Sequence, residues 1–348
     1  SGLILAYFGF RKGMPYLPSS PIKSSFKGKY SKYFHQTTDI IGVLSVVFGL
    51  AGSLAMGVIL ISSGINSVFN TSLDSHSIRI LILIVITITY LLSASTSLNK
   101  GIKFLSNINI FFAWLLLALI LLTGPTKFIF ETLINTIGDY VGHFIDRSFN
   151  LYSYNNLQNW SARWTLSYLI WWIAWSPFVG IFIARISKGR TIQQFVLGTV
   201  FLPTLFAILW FSVFGGSGIY IELFMGEELG ELIREDLTQT LFAFYDYFPY
   251  PMLLSYITLF LTFIFLVTSA DSAAFSVGMI SCKGNLNPPA RYKITWSIII
   301  ALLAGIALLS PNLQVPKAIA ISGAFPFCII LFFQIIALFR SIKQEKLK

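Results

Sequence analysis

Charge is what this sequence has least of. Asp, Glu, Lys and Arg together make up 11% of its 348 residues, less than half the share of about 25% found in ordinary soluble domains. A chain this poor in solvating groups does not read as a water-soluble fold. Cysteine is nearly absent as well, and Cys282 and Cys328 form no pairing pattern and no metal-ligand spacing. The three histidines, His35, His76 and His143, lie far apart and make no ligand cluster. No Walker loop, HExxH or GxSxG stands in a fitting context, so no enzyme is expected. Acids are scarcer than bases, 14 against 24, for a formal charge of +10. In a soluble protein that excess would raise nucleic acid as a partner. Here membrane topology accounts for it, and no nucleic acid is expected.

What the chain does have is long apolar runs, many near or above the ~18–20 residues that a helix needs to cross the hydrocarbon core. Complete spans are expected at 40–63, 78–93, 108–130, 165–187, 195–214, 252–277, 294–309 and 318–339. The apolar opening, 2–10, reads as the tail of a spanning helix whose beginning is absent, so the sequence reads as a fragment. The expected fold is all-α, one polytopic transmembrane domain over 1–348, with a basic tail at 340–348. Segment 131–163 is long for a loop. Ile134, Ile137, Val141, Phe144 and Ile145 recur in it at helical spacing, which suggests an amphipathic helix on the outer face.

The loops set the orientation. If the opening helix ends in the cytoplasm, only Arg79, Lys127, Arg147, Arg163, Arg234 and Lys317 fall outside, and the rest of the 24 basic residues fall inside. Such a bias marks the cytoplasmic side. It predicts a multi-pass protein of the cell membrane with a cytoplasmic C-terminus. The tail from Arg340 serves as a stop-transfer signal or touches anionic lipid.

Five of the eight tryptophans fall within sixteen residues: Trp160, Trp164, Trp171, Trp172 and Trp175. Trp160 and Trp164 suit an aromatic belt at headgroup level. At 1.5 Å per residue, Trp175 lies roughly 15 Å deep, near the midplane. Indole N–H groups at that depth need partners or a polar cavity. The spacings 172/175 and 171/175 bring these rings to one helix side. Clustered indole faces suit a cation without hydrogen-bond donors, above all a quaternary ammonium. Core packing of large aromatics explains the spacing equally well. Ser176-Pro177 follows, and Pro177 frees the carbonyl of Ile173, either in a broken helix or in an ordinary kink.

Two further stretches stand out. Gly42, Gly49, Ala51, Gly52, Ser53, Ala55 and Gly57 line one span and are read as a close-packing face. Thr268-Ser269-Ala270-Asp271-Ser272 lies inside another, where hydroxyls and carbonyls would suit Na⁺. Asp271 is either functional there or paired with a basic residue such as Arg185.

At these residues the sequence resembles the betaine/choline/carnitine transporter family. The match runs through Trp171-Trp172-Ile173-Ala174-Trp175-Ser176-Pro177-Phe178-Val179-Gly180 and on through Ala184-Arg185-Ile186-Ser187-Lys188-Gly189-Arg190. Arg11-Lys12-Gly13, Lys100-Gly101-Ile102-Lys103, Trp210-Phe211-Ser212 and Thr268-Ser269-Ala270-Asp271-Ser272 occur in family order. The resemblance implies a twelve-span transporter whose last ten spans form two inverted five-helix repeats, and a chain that begins at the end of the fourth. The earlier aromatic helix and the glycine-rich unwound helix would then be missing. It also implies alternating-access secondary transport of glycine betaine, choline, carnitine or a similar osmolyte, often coupled to Na⁺, in a homotrimer. Carried over, Trp172 and Trp175 match substrate-box tryptophans with Trp171 as neighbour, while Leu169 stands where the family often has Trp. Phe265, Thr268 and Ser269 match one sodium site. At the second sodium site Phe178 is retained, but Val46 and Leu50 replace two threonines and offer no oxygen, so one Na⁺ is expected. A sensor on the same scaffold, or an amino-acid carrier of related fold, is the alternative.

Overall fold

The computed structural model describes the chain apart from residues 26–30, 70, 72–75, 96–98, 151, 153–156, 227, 311 and 347–348. The expected cytoplasmic residues Lys27, Lys29 and Lys348 fall outside the described residues, as do the side chains of Lys100 and Lys103. The described residues fold as helices and connections. We label the long helices α1 (Gly2–Arg11), α2 (Ser31–Phe69), α3 (His76–Ser95), α4 (Asn99–Thr123) and α5 (Thr126–Gly142). After them come α6 (Gln158–Ile186), α7 (Ile192–Met225), α8 (Pro251–Ser281), α9 (Ala290–Ala307) and α10 (Gln314–Lys346). Eight of these are long and apolar enough to cross a membrane, and α1 is a shorter apolar helix. The all-α polytopic architecture expected from the sequence is the one observed.

One expected span is divided differently. The run at 108–130 is interrupted at Gly124-Pro125, where α4 stops at Thr123 and α5 begins at Thr126. Proline has no N–H to continue the ladder and disfavours helix at the residue before it. Thr126 Oγ1 then donates to the Leu121 carbonyl at 2.6 Å. The amphipathic helix expected over 131–163 is thus α5 plus a short helix, Phe144–Ser148. Its apolar residues Ile134, Ile137, Val141, Phe144 and Ile145 are exposed, and within α5 only Ile129 is buried.

Helix α2 is the axis of the bundle. It packs against α3, α6, α8, α9 and α10, and the main apolar core forms around its Val46, Leu50, Leu54 and Val58. A second core joins α4, α5, α7, α8 and the short helix Leu237–Tyr245, around Ile120, Val213, Phe242 and Leu254. The small residues of α2 do pack closely, as expected. A Cβ on Gly49 would sit 2.6 Å from Cβ of Ala174 on α6. One on Gly52 would collide with the Pro316 carbonyl oxygen and sit 2.9 Å from Cβ of Ala320, both on α10.

Contacts sort the loops into two ends. Glu345 near the end of α10 binds Arg11 Nε at 2.9 Å and Lys12 Nζ at 2.5 Å. The loop after α8 meets the segment after α1, where a Cβ on Gly284 would lie 2.9 Å from Pro15. At the other end His76 Nδ1 lies 3.2 Å from the Leu308 carbonyl, and Lys317 Nζ donates to the Arg163 carbonyl at 2.6 Å. Residues that the charge bias put on one side are therefore neighbours in space.

Gly52→Ala should destabilise the bundle by about 1–3 kcal/mol through overpacking against a backbone oxygen that cannot swing away. The loss should appear as a lower unfolding temperature in detergent. Gly215→Ala, which meets open space, should cause no loss; equal behaviour of the two variants would show that the α2–α10 contact does not limit stability.

Candidate functional site

Helix α6 carries the tryptophans. It widens into a π-turn at Ala162–Leu166 and then runs as regular α-helix through Ser167–Ile186 with Pro177 inside it. The broken-helix reading is thereby corrected. The helix continues past Pro177, because the ring removes the single bond to the Ile173 carbonyl while its neighbours keep theirs.

Around the axis, at 100° per residue, Trp175 lies about 40° from Trp171 and about 60° from Trp172. The environments follow that order. Trp171 turns toward α2, where its Nε1 donates to Ser53 Oγ at 3.0 Å, and Ser53 in turn donates to the Gly49 carbonyl at 2.8 Å. Ser45 Oγ on the same helix donates to the Ala174 carbonyl at 3.4 Å. Trp172 points away and is 70% exposed. Trp175 sits between, half-buried against the main core, with the Phe178 ring 5.5 Å from its own. The three rings therefore do not meet in one cluster. Trp171 has Tyr168 as its ring neighbour at 5.8 Å, because about 100° separates it from Trp172.

Two polar atoms at this level lack a hydrogen-bond partner among the described residues although both are buried: Trp175 Nε1 and Ser176 Oγ. They are adjacent in sequence, beside the carbonyl that Pro177 leaves without its usual donor. A half-exposed indole face, a free N–H and a hydroxyl thus lie within one helical turn. Toward the start of α6 Trp164 stacks on Tyr168 and receives Lys317 Nζ at 5.4 Å from its ring centroid. Leu169 is exposed.

The ion candidates lie on α8, which packs against both α2 and α6. Thr268 Oγ1 donates to the Ile264 carbonyl at 2.8 Å and lies 3.3 Å from the Phe265 carbonyl. Its lone pairs stay available, so this hydroxyl and the Phe265 carbonyl can offer oxygen to one hard cation. The Phe265 ring itself is 55% exposed, and Ser269 is half-buried. Val46, Leu50 and Phe178 are buried together in the main core, a dry apolar setting that does not fit a cation. Asp271 does not pair with Arg185. Its neighbours are Ser93 and Lys293, while the Arg185 guanidinium lies over the Phe275 ring at 5.1 Å.

Residues 1–347 match the model of the BCCT group, the betaine/carnitine/choline family transporters. The chain belongs to that family. Among relatives, it is 38% identical over 347 residues to an ectoine/hydroxyectoine transporter of Virgibacillus pantothenticus, covering 100% of this chain and 68% of that protein. It is 37% identical to the glycine betaine transporter OpuD of Bacillus subtilis, covering 99% of this chain and 67% of that protein. To the high-affinity choline transport protein of Escherichia coli it is 33% identical, covering 99% of this chain and 51% of that one. The chain therefore spans from about half to about two thirds of the relatives' lengths. These relatives are transporters, not enzymes.

Within this family member, one group that spacing along the sequence does not single out holds the tryptophan helix, and a second ties down the segment before α2. Ser53 is legible there only as one small residue among several, and nothing in its spacing foretells an indole partner. Asp39, whose carboxylate accepts from the Ser19 N–H and from Ser19 Oγ, each at 2.8 Å, fixes the segment that leads into α2. A double-mutant cycle of Ser53→Ala and Trp171→Phe should give a coupling of about 1 kcal/mol, the net worth of one hydrogen bond. Unfolding in detergent reads it, and additive losses would show that Trp171 is not held by Ser53.

Proposed function

We propose that this chain forms one wall of the substrate site of an alternating-access carrier for quaternary-ammonium osmolytes such as glycine betaine, choline or carnitine. The observation that carries this reading is the buried Trp175 Nε1 and Ser176 Oγ, without a hydrogen-bond partner among the described residues, one helical turn from the exposed Trp172 ring. A trimethylammonium group has no donors, so it is bound by aromatic faces rather than by a carboxylate. The carboxylate or hydroxyl at the other end of such a guest accepts from a free indole N–H. Trp172 and Trp175 are the cage residues in this reading, and Trp171 is a positioning residue held by Ser53. The names of the relatives support this substrate class.

One Na⁺ is proposed as coupling ion, on Thr268, Ser269 and the Phe265 carbonyl. No second sodium is proposed at Val46 and Leu50. The clustering of basic loops at one end of the bundle supports a cytoplasmic C-terminus in the cell membrane. The homotrimer is proposed on the family resemblance alone.

Uptake of radiolabelled betaine, choline and carnitine by the full-length protein tests the cage. Trp175→Ala should raise KM about ten- to thirty-fold, the worth of a desolvated cation–π contact, and Trp175→Phe should fall between it and the wild type. Unchanged uptake in Trp175→Ala would sink the cage.

Sodium coupling has its own test. Exchanging Na⁺ for K⁺ should abolish accumulation, and Thr268→Ala should raise the Na⁺ concentration for half-maximal uptake about ten-fold, through loss of one oxygen ligand. Undiminished uptake in K⁺ would remove the sodium claim and leave the cage untouched.

A further inference from the structure

At the end of the bundle opposite the basic loops, a lysine fastens the tryptophan helix. Lys317, in the first turn of α10, is half-buried. Its Nζ donates to the Arg163 carbonyl at 2.6 Å and lies 5.4 Å from the centroid of the Trp164 ring. Both partners belong to the π-turn Ala162–Leu166 of α6. Such turns interrupt the regular i→i−4 ladder and recur at functional sites. Here two successive carbonyls of the turn accept from side chains. Ser167 Oγ donates to the Ala162 carbonyl at 2.8 Å, and Lys317 serves the next one. The first donor comes from α6 itself. The second ties the turn to α10.

The hold continues through the rings. Trp164 stacks on Tyr168 at 6.2 Å, Tyr168 meets Trp171 at 5.8 Å, and Trp171 Nε1 donates to Ser53 on α2. Helices α2 and α10 close the circuit, because a Cβ on Gly52 would collide with the Pro316 carbonyl oxygen. Ser53 follows Gly52 in the chain, and Lys317 follows Pro316. Three helices are thus joined in a ring of contacts at one end of the bundle. The α2–α10 link is close packing of backbone and small side chains, which opens only if the core parts. The Lys317 link is a single flexible side chain. Among the described residues no carboxylate pairs with it, and its charged neighbour is Arg163, of like sign. Glu345 at the opposite end is held differently, by ion pairs with Arg11 and Lys12. A cation held by one carbonyl and one aromatic face, beside a like charge, releases more readily than such a pair.

We propose that Lys317 is the latch of the outer gate. On the Arg163 carbonyl and the Trp164 ring it holds the outer end of α6 against the α2–α10 seam while the way to Trp172 and Trp175 from that side is shut. It lets go when that way opens. The inference rests on the alternating-access reading above, in which the tryptophan wall becomes reachable from each side in turn. Lys317 acts through the rings of Trp164, Tyr168 and Trp171 and touches no guest, so it is a positioning residue.

Pulsed electron resonance on the full-length protein reads the gate directly. Spin labels go at Gln158 and Gln314, both exposed and each at the start of its helix, with the native cysteines, Cys282 and Cys328 among them, changed to serine. Without any guest, the wild type should give mainly one short distance. Lys317→Met keeps the stem and removes the charge. It should shift the ratio of long to short separations about ten-fold toward long, the effect of losing one charge-assisted hydrogen bond. Lys317→Arg, which keeps a cation and its donors, should stay within about two-fold of the wild type and also reports on folding. Trp164→Leu, which leaves the bond to the carbonyl, should shift the ratio about three-fold. Wild-type distances in Lys317→Met, an equal shift in Lys317→Arg, or one broadened distance in place of a second population would overturn the latch. Because no guest is present, that failure would leave the cage untouched, whereas unchanged uptake in Trp175→Ala counts against the cage alone.

Discussion

Helix α2 can stand at the centre of the bundle only because one residue in several along it has no side chain. At Gly49, Gly52, Gly57 and Gly64 an added Cβ would come within 3 Å of Ala174, Pro316, Leu266 or Phe242. Each of those atoms belongs to a different neighbouring element. In lipid there is no hydrophobic drive to push helices together, so close van der Waals contact and a few interhelical hydrogen bonds must hold the bundle. The bare seam supplies the first. Ser45 and Ser53 supply the second, at the contact with α6. The placement of Trp171, and through it of the whole tryptophan face, follows from how closely α2 lets α6 approach.

Much of this architecture is legible in the residues alone. The length and apolarity of each run mark the spans, since a helix crossing hydrocarbon must be long and uninterrupted by charge. The Gly-Pro pair at 124–125 is equally visible, but apolar residues continue past it through Phe130, and hydropathy does not register a proline that ends a helix. The candidate site is legible as residue types rather than as an arrangement. Spacings of three and four place Trp171, Trp172 and Trp175 within a sector of about 100°, yet that sector straddles the boundary between the packed and the open side of α6. Which ring falls on which side depends on the approach of α2, a tertiary fact that spacing along one helix does not contain. Asp271 shows the same limit. Its charge in a span marks it out, but its neighbours Ser93 and Lys293 come from other helices.

The scarcity of charge makes each ionic contact near the site and the bundle ends specific. Glu345 binds two cations from the segment after α1, and Asp39 is held by Ser19. Asp271 sits toward Lys293. With these acids engaged, the basic loops at the same end keep a net positive surface. The charge asymmetry that orients the chain then follows from composition: at this end of the bundle Asp39, Asp271 and Glu345 stand engaged among many bases.

The tryptophan helix obeys a different economy. A buried indole N–H or hydroxyl without a partner costs on the order of 1–3 kcal/mol, and water cannot relieve it in a dry interior. Phe at 175 and Ala at 176 would fill nearly the same space without that cost. Helix α6 nevertheless carries Trp175 and Ser176, with both polar atoms buried and without a partner among the described residues, one turn from Trp171, whose N–H is engaged. The contrast separates two uses of the same side chain. Trp171 is tied to the scaffold and sets the position of the helix. Trp175 keeps its donor open at the same depth, where a small polar guest that brings its own acceptor can satisfy it and the indole face can meet the guest's cationic head.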